Sequence, residues 1–176
     1  PRHERRSPSD SFGMTVTRGR LAALVGTATL PIIVAAVRAV SRGWYPLGDN
    51  ALYSLRARDV LTSHHPLIGT WTSASLSSGI DLNHPGPLLF DLLAVPARID
   101  ALRGIPVGIA ALHVAVVIAI AWVAHRRGGA PAVALAMAAT TALVWSLGSE
   151  MVIDPWQPNV MLLPFLLFVI VIWGLW

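Results

Sequence analysis

The sequence predicts an all-α polytopic membrane protein, with about four transmembrane helices and a long outer loop that carries juxtamembrane helices of its own. Two observations lead there. Of 176 residues, 55% are hydrophobic and 12% charged, against roughly 25% charged in a soluble domain; mean hydropathy is +0.63. The charges also come in blocks. No Asp, Glu, Lys or Arg occurs from Gly104 to His125, from Gly128 to Gly148 or from Pro155 to Trp176, and each gap is about the length a helix needs to cross a hydrocarbon core of roughly 30 Å.

Residues 1–20 form a basic tail, expected to be disordered from its Pro, Ser and Arg content. Met14 offers a start site, and one or both of the ends, Pro1 and Trp176, are expected to be cut. Arg2, Arg5, Arg6, Arg18 and Arg20 precede the first apolar run and favour the cytoplasmic side for the amino terminus. The 13 basic residues are all Arg and the pI is near 11. We read this as compositional bias combined with membrane flanking, not as a nucleic-acid surface. With no cysteine, disulfides, thiolate metal sites and cysteine nucleophiles are excluded.

The first span is expected over residues 21–40, with Arg38 near its far end reaching back to the headgroups. It exceeds the apolar core of a cleaved signal peptide and lacks a clean small-residue cleavage site, so it reads as an anchor. Residues 41–103 form the outer loop, holding five Arg, five Asp and clusters of Gly, Pro, Ser and His. Helices are expected within it at 50–61 and 87–99. The second is Leu-rich but reaches only about 20 Å and contains Asp91 and Pro96, so it is expected at the membrane surface.

Spans at 105–124 and 131–147 follow, joined by a cytoplasmic turn at 125–130 that carries Arg126 and Arg127. A second outer loop at 148–158 holds Glu150 and Asp154 without a basic residue, and 160–176 is the fourth span, expected to be truncated. The Arg pair falls inside and the acidic loop outside only if 87–99 does not cross. Trp44, Trp122, Trp145, Trp156 and Trp173 lie mostly near span ends, as interfacial anchors do. Trp156 also stands beside the acidic loop.

This topology gathers Asp49, Arg56, Arg58, Asp59, His64, His65, Asp81, His84, Glu150 and Asp154 on the outer face. Asp49, ahead of a helix, reads either as an N-cap or as a general base or cation ligand. Arg56 and Arg58 suit a phosphate or pairing with Asp59 and lipid headgroups. His64 and His65 are adjacent, point apart on a regular element and chelate poorly. His84 shapes its loop or touches substrate. His113 stands alone in a span, where interhelical hydrogen bonding is its expected use. Asp91 faces the loop, pairs with Arg98 or Arg103, or is protonated.

The run Gly48-Asp49-Asn50-Ala51-Leu52, then Leu55-Arg56-Ala57-Arg58-Asp59-Val60, His65-Pro66-Leu67 and His84-Pro85-Gly86-Pro87-Leu88-Leu89 resembles the opening third of GT-C superfamily glycosyltransferases of actinobacterial type. The resemblance covers 21–176. It implies transfer of a sugar from a polyprenyl-phosphate donor to an extracytoplasmic glycan or protein acceptor, at the plasma membrane. Asp49 matches the first-loop acid, the base that deprotonates the acceptor hydroxyl. Glu150 or Asp154 matches the second-loop acid, which binds a divalent cation or orients the acceptor; the Arg that often accompanies it is missing. Arg56, Arg58 and His84 are the expected substrate-binding residues. Competing expectations are a non-catalytic accessory or structural subunit of a membrane complex, and a transporter fragment hinted at by His113.

Overall fold

The computed structural model describes residues 18–84 and 86–173. Among them the regular structure is helical apart from one bridge between Trp71 and Asn83. Most of the expected tail lies outside the described residues, whereas Arg18 to Arg20 already belong to the first turn of α1 (Arg18–Ser41). The Ala, Val, Ile and Leu of α1 leave two hydroxyls to satisfy mid-helix. Thr27 and Thr29 donate them to the carbonyls of Ala23 and Val25, each at 2.9 Å.

The chain then forms α2 (Asp49–Asp59), α3 (Ala74–Ser78), α4 (Leu88–Ile99), α5 (Gly104–Met151), α6 (Gln157–Val160) and α7 (Leu162–Trp173). Both α1 and α5 are long and apolar enough to cross a membrane. α5 is not one rod. The backbone leaves helical geometry at Gly128 and at Gly129, which has φ 62° and ψ −151°, a region essentially reserved for glycine. Pro131 follows, and the sequence Gly-Gly-x-Pro ends one helix and starts another. His113 and Val152 would stand about 58 Å apart on a straight helix, yet the His113 ring lies 2.8 Å from the Val152 carbonyl. The element is therefore a hairpin of two limbs, 104–127 and 130–147. The expected turn at 125–130 narrows to its two glycines, because His125, Arg126 and Arg127 remain helical.

The core lies between α1 and these limbs. Ala28, Ile32 and Ala35 pack with Val117, Ile120, Ala124, Val133, Met137 and Val144, small residues on α1 letting the helices approach closely. The start of α1 shares a lining with Ala121, His125 and Val133, and its end shares one with residues 149–151, 153 and 154. α1 thus runs antiparallel to the first limb and parallel to the second. α7 closes the bundle through Leu163, Leu166, Leu167 and Ile170. It begins two residues later than expected, and residues 174–176 lie outside the described set.

At the end of the bundle away from Gly129, α2 and α4 form a cap. Tyr53 meets Phe90 with ring centroids 5.8 Å apart, and Ala57, Leu93 and Ala97 join Ile105, Ile109 and Val160. α2 stops two residues before the expected boundary, since Leu61 takes φ 61° and the Arg98 guanidinium donates to the carbonyls of Arg58 and Val60. A cation there also complements the helix dipole. Arg98 is thereby engaged with α2, and Asp91 stands exposed in the first turn of α4, where a negative charge is favoured. Gly104 and Gly108 admit α4 onto α5: a side chain at 104 would lie 1.9 Å from the Pro96 carbonyl oxygen.

α4 buries Phe90, Leu93, Ala94 and Ala97 and exposes Leu88, Leu92, Val95 and Ile99. The two sets lie on opposite faces of a helix with 3.6 residues per turn, so α4 carries an apolar stripe outward as well as inward.

Candidate functional site

A cavity of about 780 Å³ opens where the end of α1, the segment after it and the return segment 149–159 meet. Its geometry begins with how α1 stops. Gly43 has φ 72°, its N–H reaches the Val40 carbonyl at 3.2 Å, and the Trp44 N–H reaches the Ala39 carbonyl at 2.9 Å. This is a Schellman ending. It turns the chain so that Trp44 and Tyr45 join Arg38 and Arg42 in the cavity wall.

The opposite wall carries Glu150 and Asp154. Gly148, with φ 74° and ψ 177°, breaks the second limb of α5 just before Glu150, so the expected loop at 148–158 starts with one more turn of helix and Glu150 is exposed to the cavity. Asp154 is fixed more firmly. The Trp156 N–H donates to its Oδ1 at 3.3 Å, and the Asn159 side-chain amide donates to its Oδ2 at 3.0 Å. Val152 and Ile153 are buried in the bundle and anchor the segment from below.

His113 ties that segment to the first limb of α5. It is fully buried, with Nδ1 at 2.8 Å from the Val152 carbonyl and Nε2 at 3.2 Å from the Val160 carbonyl. At least one ring N–H donates, and the imidazole spans the two ends of the stretch that holds Asp154. The interhelical use expected for it takes this form, with backbone carbonyls as partners.

The remaining sequence-predicted residues lie elsewhere. Asp49 is exposed at the first position of α2, while Leu47 and Asn50 beside it line the cavity. Gly48, not Asp49, holds the N-cap position, and no side-chain cap bond forms, which corrects the capping reading. Arg56 and Arg58 are exposed in the last turn of α2, outside the cavity lining. His84 is half-buried in a short ribbon, its N–H on the Thr70 carbonyl and its carbonyl on the Gly69 N–H, each at 2.9 Å. His65 accepts from the Leu61 N–H at 2.9 Å. Among the described residues no group of three or more His, Asp or Glu side chains could hold a metal ion.

Among the wall residues, sequence reasoning leaves Arg42, Asn50 and Asn159 unassigned and reads Arg38 and Trp44 only as membrane anchors. Arg38 and Arg42 carried a signal, since residues four apart share a helix face. Asn159 carried none, because its partnership with Asp154 depends on how the return segment folds.

The site therefore sets two guanidinium groups against two carboxylates between aromatic walls. Such a cavity can hold an anion at one side and orient or deprotonate a hydroxyl at the other. The chain matches no protein family, no curated protein and no solved structure.

Proposed function

We propose that this chain is the amino-terminal portion of a multi-pass membrane glycosyltransferase that moves a sugar from a polyprenyl-phosphate donor to an extracytoplasmic acceptor. The proposed topology has four spans: α1, the two limbs of α5, and α7, with the amino terminus in the cytoplasm of the cell and the cavity on the far side of its plasma membrane. Asp49 is the proposed general base, at the rim of the cavity. Glu150 and Asp154 orient the acceptor or hold a divalent cation between them and the substrate.

The observation that carries this reading is the shared cavity. The chain just after α1 and the acidic segment that begins in the last turn of α5 are separated by about a hundred residues, yet they wall one space beside apolar helices. A reaction between a membrane-borne donor and a water-borne acceptor needs that arrangement.

Asp49→Asn in the full-length protein is expected to lower glycosyl transfer by roughly 10²–10⁴-fold while leaving the protein folded in membranes. Transfer from a polyprenyl-phosphate sugar at the unaltered rate would refute the role of Asp49, and absence of transfer by the unaltered full-length protein would favour an accessory subunit. Topology is checked independently, since the chain has no cysteine of its own. A cysteine at Ser149 is expected to react with an impermeant maleimide on intact cells, and one at Gly128 only after permeabilisation.

A further inference from the structure

We propose that His113 is a proton-operated latch: with two protons on its ring it holds the cavity wall that carries Asp154, and with one it releases an end of that wall. The demand on the ring comes from two prolines. The helical partner of the Val160 carbonyl would be the N–H of residue 164, but that residue is Pro164 and has none. Val152 is placed similarly. Pro155 follows three residues later without an N–H, and the Trp156 N–H is directed to Asp154 Oδ1 at 3.3 Å. Both carbonyls therefore converge on one buried imidazole, 2.8 Å from Nδ1 and 3.2 Å from Nε2.

A neutral imidazole has one N–H and one lone pair, and only the imidazolium donates from both nitrogens. With a single proton the ring keeps the shorter contact, to Val152, and turns a lone pair toward the Val160 carbonyl. That end is left with a buried, unmatched acceptor, which local opening to water relieves. Asn159, the residue before Val160, donates to Asp154 Oδ2 at 3.0 Å and lines the cavity. Release at Val160 frees one oxygen of Asp154 and widens the cavity. The closed state binds a proton that the open state has given up, so closure is favoured in acid and is lost as pH rises through the titration of the ring.

Few charges surround this proton. The limb that carries His113 has no Asp, Glu, Lys or Arg from Gly104 to His125, and none occurs in 155–173. Glu150 and Asp154 of the return segment and Arg38 and Arg42 of α1 line the adjoining cavity. In the cap, Arg98 is turned onto α2, Tyr53 packs against Phe90, and Arg56, Arg58 and Asp91 are exposed. The ring's two bonds go to carbonyls, so its protonation decides how many of them are met. This latch does not depend on the glycosyl-transfer reading.

The test is hydrogen–deuterium exchange of the full chain in phosphatidylcholine nanodiscs at about pH 5 and about pH 8, the range in which histidines titrate. Each amide is referred to its intrinsic rate at that pH. Protection of segment 149–161 is expected to fall about tenfold from the acid to the alkaline condition, one buried hydrogen bond being lost, while the turn at 125–130 keeps its protection. His113→Gln, whose amide does not titrate, is expected to abolish the difference. A second measurement needs no variant. Solid-state nitrogen NMR of the protein with isotope-labelled histidine and valine identifies the ring that couples to valine carbonyls. That ring is expected to show two N–H nitrogens in the acid condition and one in the alkaline.

Equal protection of 149–161 in the two conditions overturns the proposal, as does a pH effect that persists in His113→Gln. A ring that carries the same number of protons throughout overturns it as well. None of these outcomes bears on Asp49, whose replacement is read by glycosyl transfer alone.

Discussion

The two ends of the helical bundle carry the same residue types in different company. At the Gly128–Gly129 turn, Arg126 stacks over the Trp122 ring with its guanidinium carbon 5.4 Å from the centroid, and neighbouring Arg127 is exposed. No carboxylate faces them within that segment. At the other end, Arg38 and Arg42 share a walled space with Trp44, Trp156, Glu150 and Asp154. An Arg pair beside a Trp is thus an anchor or part of a binding site according to what stands opposite. Among the described residues, only the cavity end has a return segment to supply the opposite wall.

The strongest way to break this contrast is to release that return segment. His113→Leu leaves the carbonyls of Val152 and Val160 without their ring partner, and an orphaned buried polar group costs about 1–3 kcal/mol. A loss of roughly 2–4 kcal/mol is expected, read as a lowered thermal midpoint in detergent. Faster cysteine labelling at position 149 than at 128 would localise the damage to the cavity end. Equal loosening at both positions would show that His113 serves the bundle as a whole.

Acting on the opposite end is expected to cost less. Gly129→Val forces a β-branched residue into a backbone conformation that glycine alone tolerates, at about 1–3 kcal/mol. The turn should open while the cavity retains its labelling pattern. An unchanged thermal midpoint would mean that the two limbs meet by some other turn.

The smallest effect sharpens the boundary between the cap and the bundle. The N–H groups of Arg103 and Leu102 both donate to Asp100, each at 2.9 Å. They hold its carboxyl below the ordinary value of 3.8, with the backbone bond from Arg103 contributing most. A folded-state value below the unfolded one means stabilisation that is complete above about pH 4 and is lost as pH falls through the lowered value. Asp100→Asn is expected to flatten the acid limb of a stability profile slightly. An unaltered acid limb would show that this turn does not couple to folding.

The sequence made some of this legible and not the rest. Block-wise charge placed α1, both limbs of α5 and α7 within a few residues, because exclusion of charge from long apolar runs is a one-dimensional property. The helix at 87–99 was equally legible, starting one residue later at Leu88 behind Pro87. What sequence could not convey is which loops meet. Asp154 was singled out, but its partner Asn159 and the wall formed by Arg38 and Arg42 exist only once the Schellman turn at Gly43 and the break at Gly148 are in place. Arg38 read as a headgroup anchor because burial patterns on its own helix say nothing of a segment more than a hundred residues away. Arg56 and Arg58 suit a phosphate by residue type, whereas two turns of α2 carry them to the end of that helix away from Asp49.

The hairpin of α5 bears on how such a chain would be assembled in the cell. Two apolar limbs joined by so tight a reversal can enter a bilayer as one unit, since each limb satisfies its own backbone; Thr140 and His113 are buried in the finished bundle. On the proposed topology the cap is different. The segment 41–103 that contains it, with five Arg and five Asp, must be exported through a translocon after α1 has lodged and before the hairpin follows, so the order of synthesis is also the order in which the cavity acquires its walls.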